Sequence, residues 1–262
     1  MLSIIIPTIG KKIPELTRLF DSLAQQTCQE FEAILAIQDN HAQIEQLTLA
    51  YQFPIKICNL YKKGLSYARN QSLGLISNAA TLVTFSDDDC WYPLDTVATV
   101  LADYQQYNTS ICYQIFDPLK NEPYKEYQPN KLEQVSLRQS LKISSIEIFV
   151  PKTVIDSGIC FDERFGLGTA FPSGEENIFL FDAIKAGVKI LYFPKPIVYH
   201  QKPEWSNKEY IFKGKGALFS KLYNRPLALM MSVFYAYKKR EYSQNIMADL
   251  LRMINEAIYF KN

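Results

Sequence analysis

The segment LVTFSDDDCWYP, residues 82–93, decides how the rest of the chain is read. An apolar run opens directly onto three adjacent carboxylates, then onto aromatic residues and a proline. Three neighbouring aspartates repel one another, and nothing in the local sequence neutralises them. The apolar run over 80–85 reads as a buried strand, so Asp87, Asp88 and Asp89 stand at its carboxyl end. In that position a carboxylate cluster suits a hard divalent cation, which takes oxygen ligands. Asp87 and Asp89, two apart on an extended turn, are able to face the same side.

Working outward, strands and helices alternate. Residues 2–6 (LSIII) are β-branched and unalternating, the pattern of a buried parallel strand. Further strands are expected over 31–37 and 54–60, and helices over 14–26, 42–51, 64–77 and 94–106. Pro14 suits a first helical turn. This alternation predicts an α/β fold with a doubly wound, mostly parallel sheet. Ligands of such sheets bind beyond the carboxyl ends of the strands. Pro7-Thr8, Asp39 and Asp87–Asp89 each follow a strand and should converge on one edge.

Beyond residue 110 the pattern loosens. Residues 111–150 read as less regular, with a Pro-, Tyr- and Lys-rich loop at 117–131 and a strand at 145–151. A glycine-punctuated loop (161–174) leads into an amphipathic helix over 175–187. Residues 189–200 read as a strand, a proline turn and a second short strand ending at His200. The remainder, 206–262, reads as a mainly helical extension.

With 262 residues, 48% of them hydrophobic, the chain is large enough for one α/β domain with a small appendage. The net charge of +1 hides an asymmetry: from residue 201 onward there are 11 Lys/Arg against 5 Asp/Glu. The five cysteines, Cys28, Cys58, Cys90, Cys112 and Cys160, form no CxxC pair, which argues against a disulfide framework or zinc site and for a reducing, cytoplasmic setting. The start, MLSIIIPT, reads as a strand rather than a signal peptide, and no run approaches the ~20 apolar residues of a membrane span.

The ordered set SIIIPT, GLSYARN, FSDDDCWYP, FDERFGLGTAFPSGEEN and KILYFPKPIVYH resembles a family 2 glycosyltransferase of the GT-A fold over roughly residues 1–200. The segment FKGKGALF (212–219) is similar to one found in members that build bacterial surface polysaccharides. The resemblance implies inverting transfer of a sugar from a nucleoside-diphosphate donor, UDP by default, to an acceptor hydroxyl. It implies a catalytic domain over 1–205, with a nucleotide-sugar half (about 1–110), an acceptor half (111–205) and the 206–262 extension.

Carried onto this sequence, the resemblance makes Pro7 and Thr8 line the nucleotide pocket and Asp39 hydrogen-bond the base. Arg69 and Asn70 contact the nucleotide or support the loop. Asp87 approaches the ribose, and Asp88, the least assigned of the three, falls in the same nucleotide-binding group. Asp89 ligates Mg²⁺ or Mn²⁺ across the diphosphate, with His200 near the metal. The base comes from Glu175-Glu176, where the family usually has Glu-Asp; Glu176 takes the Asp position and is the first choice, Glu175 the second. Acidic residues also suit any helix N-terminus.

The basic, aromatic tail (Lys213, Lys215, Lys221, Arg225, Lys238-Lys239-Arg240) suits an anionic membrane surface, and hence a lipid-linked or glycan acceptor at the inner face of the cell membrane. Competing readings are an aspartate-and-magnesium phosphatase, whose nucleophile would follow the first strand, and a non-catalytic sugar-nucleotide or glycan-binding module. No nucleic-acid motif is present.

Overall fold

Leu2, Ile4 and Ile6 pack on one face of the sheet, against Leu16, Leu19, Phe20 and Leu23. Ile5 faces the other side, with Ile34, Val83, Phe85 and Phe179. Successive side chains of a strand point to opposite faces. Both faces are covered here, so the first strand is apolar without alternation.

The computed structural model describes residues 1–131, 134–202 and 211–261. Its first half runs β1 (Leu2–Thr8), α1 (Ile13–Ala24), β2 (Phe31–Ile37), α2 (His41–Thr48), β3 (Ile55–Asn59), α3 (Leu65–Leu73), β4 (Leu82–Phe85) and α4 (Thr96–Tyr107). Then come β5 (Ser110–Asp117), β6 (Glu122–Pro123), α5 (Leu137–Ser140), β7 (Ile148–Pro151), α6 (Lys152–Asp156), α7 (Glu175–Lys185) and β8 (Ile190–Tyr199). Three helices close the chain: α8 (Lys215–Leu222), α9 (Arg225–Lys238) and α10 (Ile246–Tyr259).

The sheet order is β3-β2-β1-β4-β7-β5-β6, with β8 paired to β5. Strands β1 to β4 are mutually parallel, and β8 is parallel to β5. Only β6 and β7 run antiparallel to their neighbours.

Three sequence expectations are corrected. Residues 111–150 are not merely irregular: nearly all of β5 lies within them, a strand with β7, β6 and β8 as partners. The strand expected at 145 begins at Ile148, because Ser145–Glu147 forms a 3-10 turn. No turn divides 189–200. The strand carries Pro194 and Pro196 by shifting register against β5 between Cys112 and Ile115. Proline offers no N–H to the ladder, and a bulge accommodates that without reversing the chain.

The C-terminal helices seat directly on the sheet domain. Ala217, Leu218 and Leu222 of α8 share a core with Phe165, Ile178 and Phe181. A Cβ on Gly216 would lie 1.9 Å from the Met253 carbonyl oxygen, so α8 and α10 approach to backbone contact where only glycine fits. The 205/206 boundary expected between domain and extension lies outside the described residues.

Candidate active site

From β1 the chain winds outward through β2 to β3, then returns to β4 on the other side of β1. The carboxyl ends of β1 and β4 therefore flank the switch point of the sheet, where a crevice opens. Thr8 ends β1 and donates its hydroxyl to Asp88 Oδ2 at 2.7 Å, which ties the two ends together. Pro7 is buried in β1 beside it. Asp39, just past β2, accepts from Lys63 Nζ at 2.8 Å. That bond, with the Asn40 N–H, holds its carboxyl below the usual range.

His200 reaches the same crevice through backbone pairing. Trp91 and Tyr199 exchange N–H···O bonds of 3.0 and 2.8 Å, lacing the segment after the triplet to the end of β8. The next residue, His200, donates its own N–H to Phe116 at 3.0 Å. Asp117, fully buried, accepts from Lys202 N at 2.8 Å and holds the chain just beyond. As a result, one ligand atom each from Asp87, Asp89 and His200 lies within 4.8 Å of the others.

The donor chemistry of that cluster fits a divalent cation. His200 Nδ1 lies 2.7 Å from the Gln201 carbonyl oxygen, which only accepts, so Nδ1 must carry the proton. Nε2 then points at Asp89 Oδ1, 3.0 Å away. This is how a metal-ligating imidazole is commonly oriented, with its far nitrogen pinned by a carbonyl. Without a metal, a proton on Nε2 would bond the Asp89 carboxylate. Burial opposes that charge, but the bond to Asp89 wins and raises the His200 pKa.

Asp89 is the hub. Burial pushes its carboxyl up, yet His200 on Oδ1 and Lys12 Nζ on Oδ2 together hold it far below the usual range. Its carbonyl accepts from Arg18 at 2.9 Å, and that guanidinium stacks 3.7 Å over the Trp91 ring. Asp88 moves the other way, up to about 6, through burial and the charges of its neighbours against the Thr8 bond. Asp87 keeps its side chain partly open to solvent, and the atoms packed around it raise its carboxyl against the pull of Arg69.

Arg69 joins this cluster to the acidic pair. It is completely buried on α3, with Nη2 3.2 Å from Asp87 Oδ1 and Nη1 3.4 Å from Glu175 Oε1. Ser145 Oγ accepts from it at 2.8 Å, and its plane lies 5.1 Å over Phe161. Its neighbour Asn70 binds the Phe161 backbone twice, at 2.9 Å each way, so its amide holds the loop that leads to the acidic pair.

Glu175 and Glu176 open α7 after Gly174, whose φ of 99° is left-handed and which leaves no room for a Cβ beside Leu218. The two glutamates differ in access. Glu175 is 6% exposed, with Oε2 unpartnered, and burial with the charge of Glu176 raises its pKa. Glu176 is partly open to solvent. Arg69→Met would leave Glu175 and Asp87 facing a buried apolar side chain. We expect it to lower the unfolding free energy by about 1–3 kcal/mol in urea denaturation, because buried acceptors lose their donors, and Arg69→Lys, lacking the planar fork, to restore only part. A loss below about 1 kcal/mol would show that the bridge carries little of the fold.

Residue types alone did not point to several of these groups. Lys12 and Arg18 carry no motif, and only their place after β1 hints at a role. Lys215 was counted with the basic tail. It sits at the head of α8 and interacts electrostatically with Glu176, Glu175 and Glu256, while burial depresses its pKa. Lys221 likewise turns inward, 3.5 Å from Asp162. The extension thus directs part of its basic charge at the sheet domain.

The fold is that of the GT-A glycosyltransferases. The model of glycosyl transferase family 2 matches residues 3–158, and the chain belongs to that family. No curated protein matches the sequence. Among solved structures it is similar to Staphylococcus aureus TarS residues 1–349 in complex with UDP-GlcNAc: 17% identity, TM-score 0.69, 97% of this chain and 81% of that one. It is also similar to the mannosyltransferase PcManGT of Pyrobaculum calidifontis in complex with GDP-Man and Mn²⁺: 10% identity, TM-score 0.65, 100% of this chain and 88% of that one.

Proposed function

We propose that this glycosyltransferase moves a hexose, with inversion, from a nucleoside-diphosphate sugar to an acceptor hydroxyl of a bacterial polysaccharide or glycolipid. The carrying observation is that two acidic centres share one crevice, bridged by the buried Arg69: the Asp87-Asp89-His200 cluster and the Glu175-Glu176 pair. Asp89 and His200, with Asp87 beside them, would hold Mg²⁺ or Mn²⁺. When bound, that ion offsets charge developing on the leaving diphosphate.

The chain's own residues do the rest. Thr8, Asp39, Asp87 and Asp88 edge the crevice where the nucleotide would lie. Lys12 neutralises Asp89 and stands ready to pair with a phosphate instead. Glu176, the accessible member of the pair, takes the acceptor proton as the new bond forms. Glu175, whose pKa burial raises, is the poorer candidate for that role. The UDP-GlcNAc and GDP-Man complexes of the structural relatives support a nucleotide-sugar donor. A lipid-linked acceptor would place this work at the inner face of a membrane. No helix among the described residues is long and apolar enough to cross one.

A panel of UDP- and GDP-sugars, with and without Mn²⁺, tests this reading, with the anomeric configuration of the product read by NMR. Turnover of one donor, dependent on the cation and opposite in configuration to the donor, is the expected result. Donor binding without turnover on any acceptor would favour a non-catalytic module.

A further inference from the structure

The outer face of α9 is built the wrong way round for water. A surface helix normally buries its apolar stripe and exposes polar residues. On α9 the buried positions are the small Ala228, Ser232 and Ala236, which pack toward the other C-terminal helices. Met230, Val233, Phe234 and Tyr237, at positions i, i+3, i+4 and i+7, are 60%, 50%, 59% and 65% exposed. They form one continuous apolar stripe along the helix.

Cations stand at the two ends of that helix, with Glu241 following the second group. Residues 225–240 contain no carboxylate, and their cations are Arg225, Lys238, Lys239 and Arg240. Arg240 lies 4.5 Å over the Tyr237 ring, so this end of the stripe is aromatic and cationic together. α10, packed against α9, leaves Met247 and Leu251 exposed as well. With 14 residues, α9 is about 21 Å long and too short to span a bilayer, but well suited to lie in its interface.

We propose that α9 docks the protein on an anionic lipid surface, with Met230, Val233, Phe234 and Tyr237 entering the acyl boundary and Arg225 and Lys238–Arg240 meeting headgroup phosphates. Charge selects this occupant over a second copy of the chain. A two-fold interface through α9 would set the same cations of both copies around one patch, with no carboxylate on the helix to pair them. An anionic membrane supplies that missing charge, each cation near it strengthening binding roughly fivefold. The inference rests on the membrane-side reading above only for the identity of the acceptor; docking is measured with no donor or acceptor present.

Flotation of the full chain with vesicles tests it. We expect the protein to rise with phosphatidylcholine vesicles containing about 30 mol% phosphatidylglycerol, and not with phosphatidylcholine alone. About 0.5 M NaCl should weaken the binding. Met230→Gln with Phe234→Gln should lower the partition at least tenfold, and Arg225→Gln with Lys238→Gln a similar amount. These side chains are exposed, so melting temperature and turnover of a soluble acceptor should match wild type. Absence of flotation with anionic vesicles would overturn the proposal. So would unchanged flotation in both double variants, or light scattering showing a dimer that Phe234→Gln dissociates. Loss of transfer activity with flotation intact would instead count against the enzymatic reading alone.

Discussion

Asp89→Asn should lower cation-dependent transfer on the order of 10²–10³-fold or more, while leaving the fold in place. The carboxylate is where three elements meet: Lys12 from the loop after β1, His200 from the end of β8, and the triplet after β4. Asparagine keeps the volume and one acceptor oxygen but removes the charge, and a hard cation discriminates strongly on charge. Binding of Mn²⁺, followed by electron paramagnetic resonance without any sugar donor, should weaken in parallel.

Stability supplies a second readout. His200 and Lys12 depress the Asp89 pKa against its burial, so this group stabilises the native state above the ordinary aspartate range. That contribution disappears as pH falls through the depressed native value. The variant should therefore melt below wild type at neutral pH and converge with it in acid. Wild-type Mn²⁺ binding in Asp89→Asn would remove Asp89 from the metal site.

The acidic pair should separate just as sharply. Glu176→Gln is expected to keep donor binding and lose transfer by about 10²–10⁴-fold, the ordinary worth of a positioned base. Glu175→Gln should cost far less, because burial already holds Glu175 in its neutral form and glutamine reproduces that form. The sign in stability is also fixed. A carboxyl whose native pKa is raised keeps a proton that the unfolded chain loses, so its contribution to stability falls as pH rises from the ordinary glutamate range to the raised value. Glu175→Gln should remove that slope and melt above wild type at alkaline pH. Full transfer in Glu176→Gln, with loss in Glu175→Gln, would exchange the two roles.

Much of this organisation is local in origin and therefore legible in the sequence. β1 and β2 are buried on both faces, and a strand so placed is mainly apolar, with Ser3 and Glu32 satisfying each other by a hydrogen bond. That pattern is visible without knowing any partner. The position of the aspartates after β4 follows in the same way, since a buried strand delivers its last residues to the sheet edge. The proline-bearing β8 and the mixed-polarity β5 were harder. Their strand character comes from pairing with each other across about 80 residues of sequence, not from their own periodicity.

The sequence by itself thus determined the class of sheet and brought the candidate carboxylates to one edge of it. Only the tertiary structure decided which of them share an atom-scale cluster, because that depends on contacts remote along the chain. His200 meets Asp89 because Trp91 pairs with Tyr199. Arg69, which holds Asp87, reaches Glu175 across 106 residues, and burial, a property of the whole packed domain, sets Glu175 apart from Glu176. The same packing turns Lys215 inward and leaves the apolar stripe of α9 facing out. A side chain's type is written in the chain; its charge state and its partners are set by what folds around it.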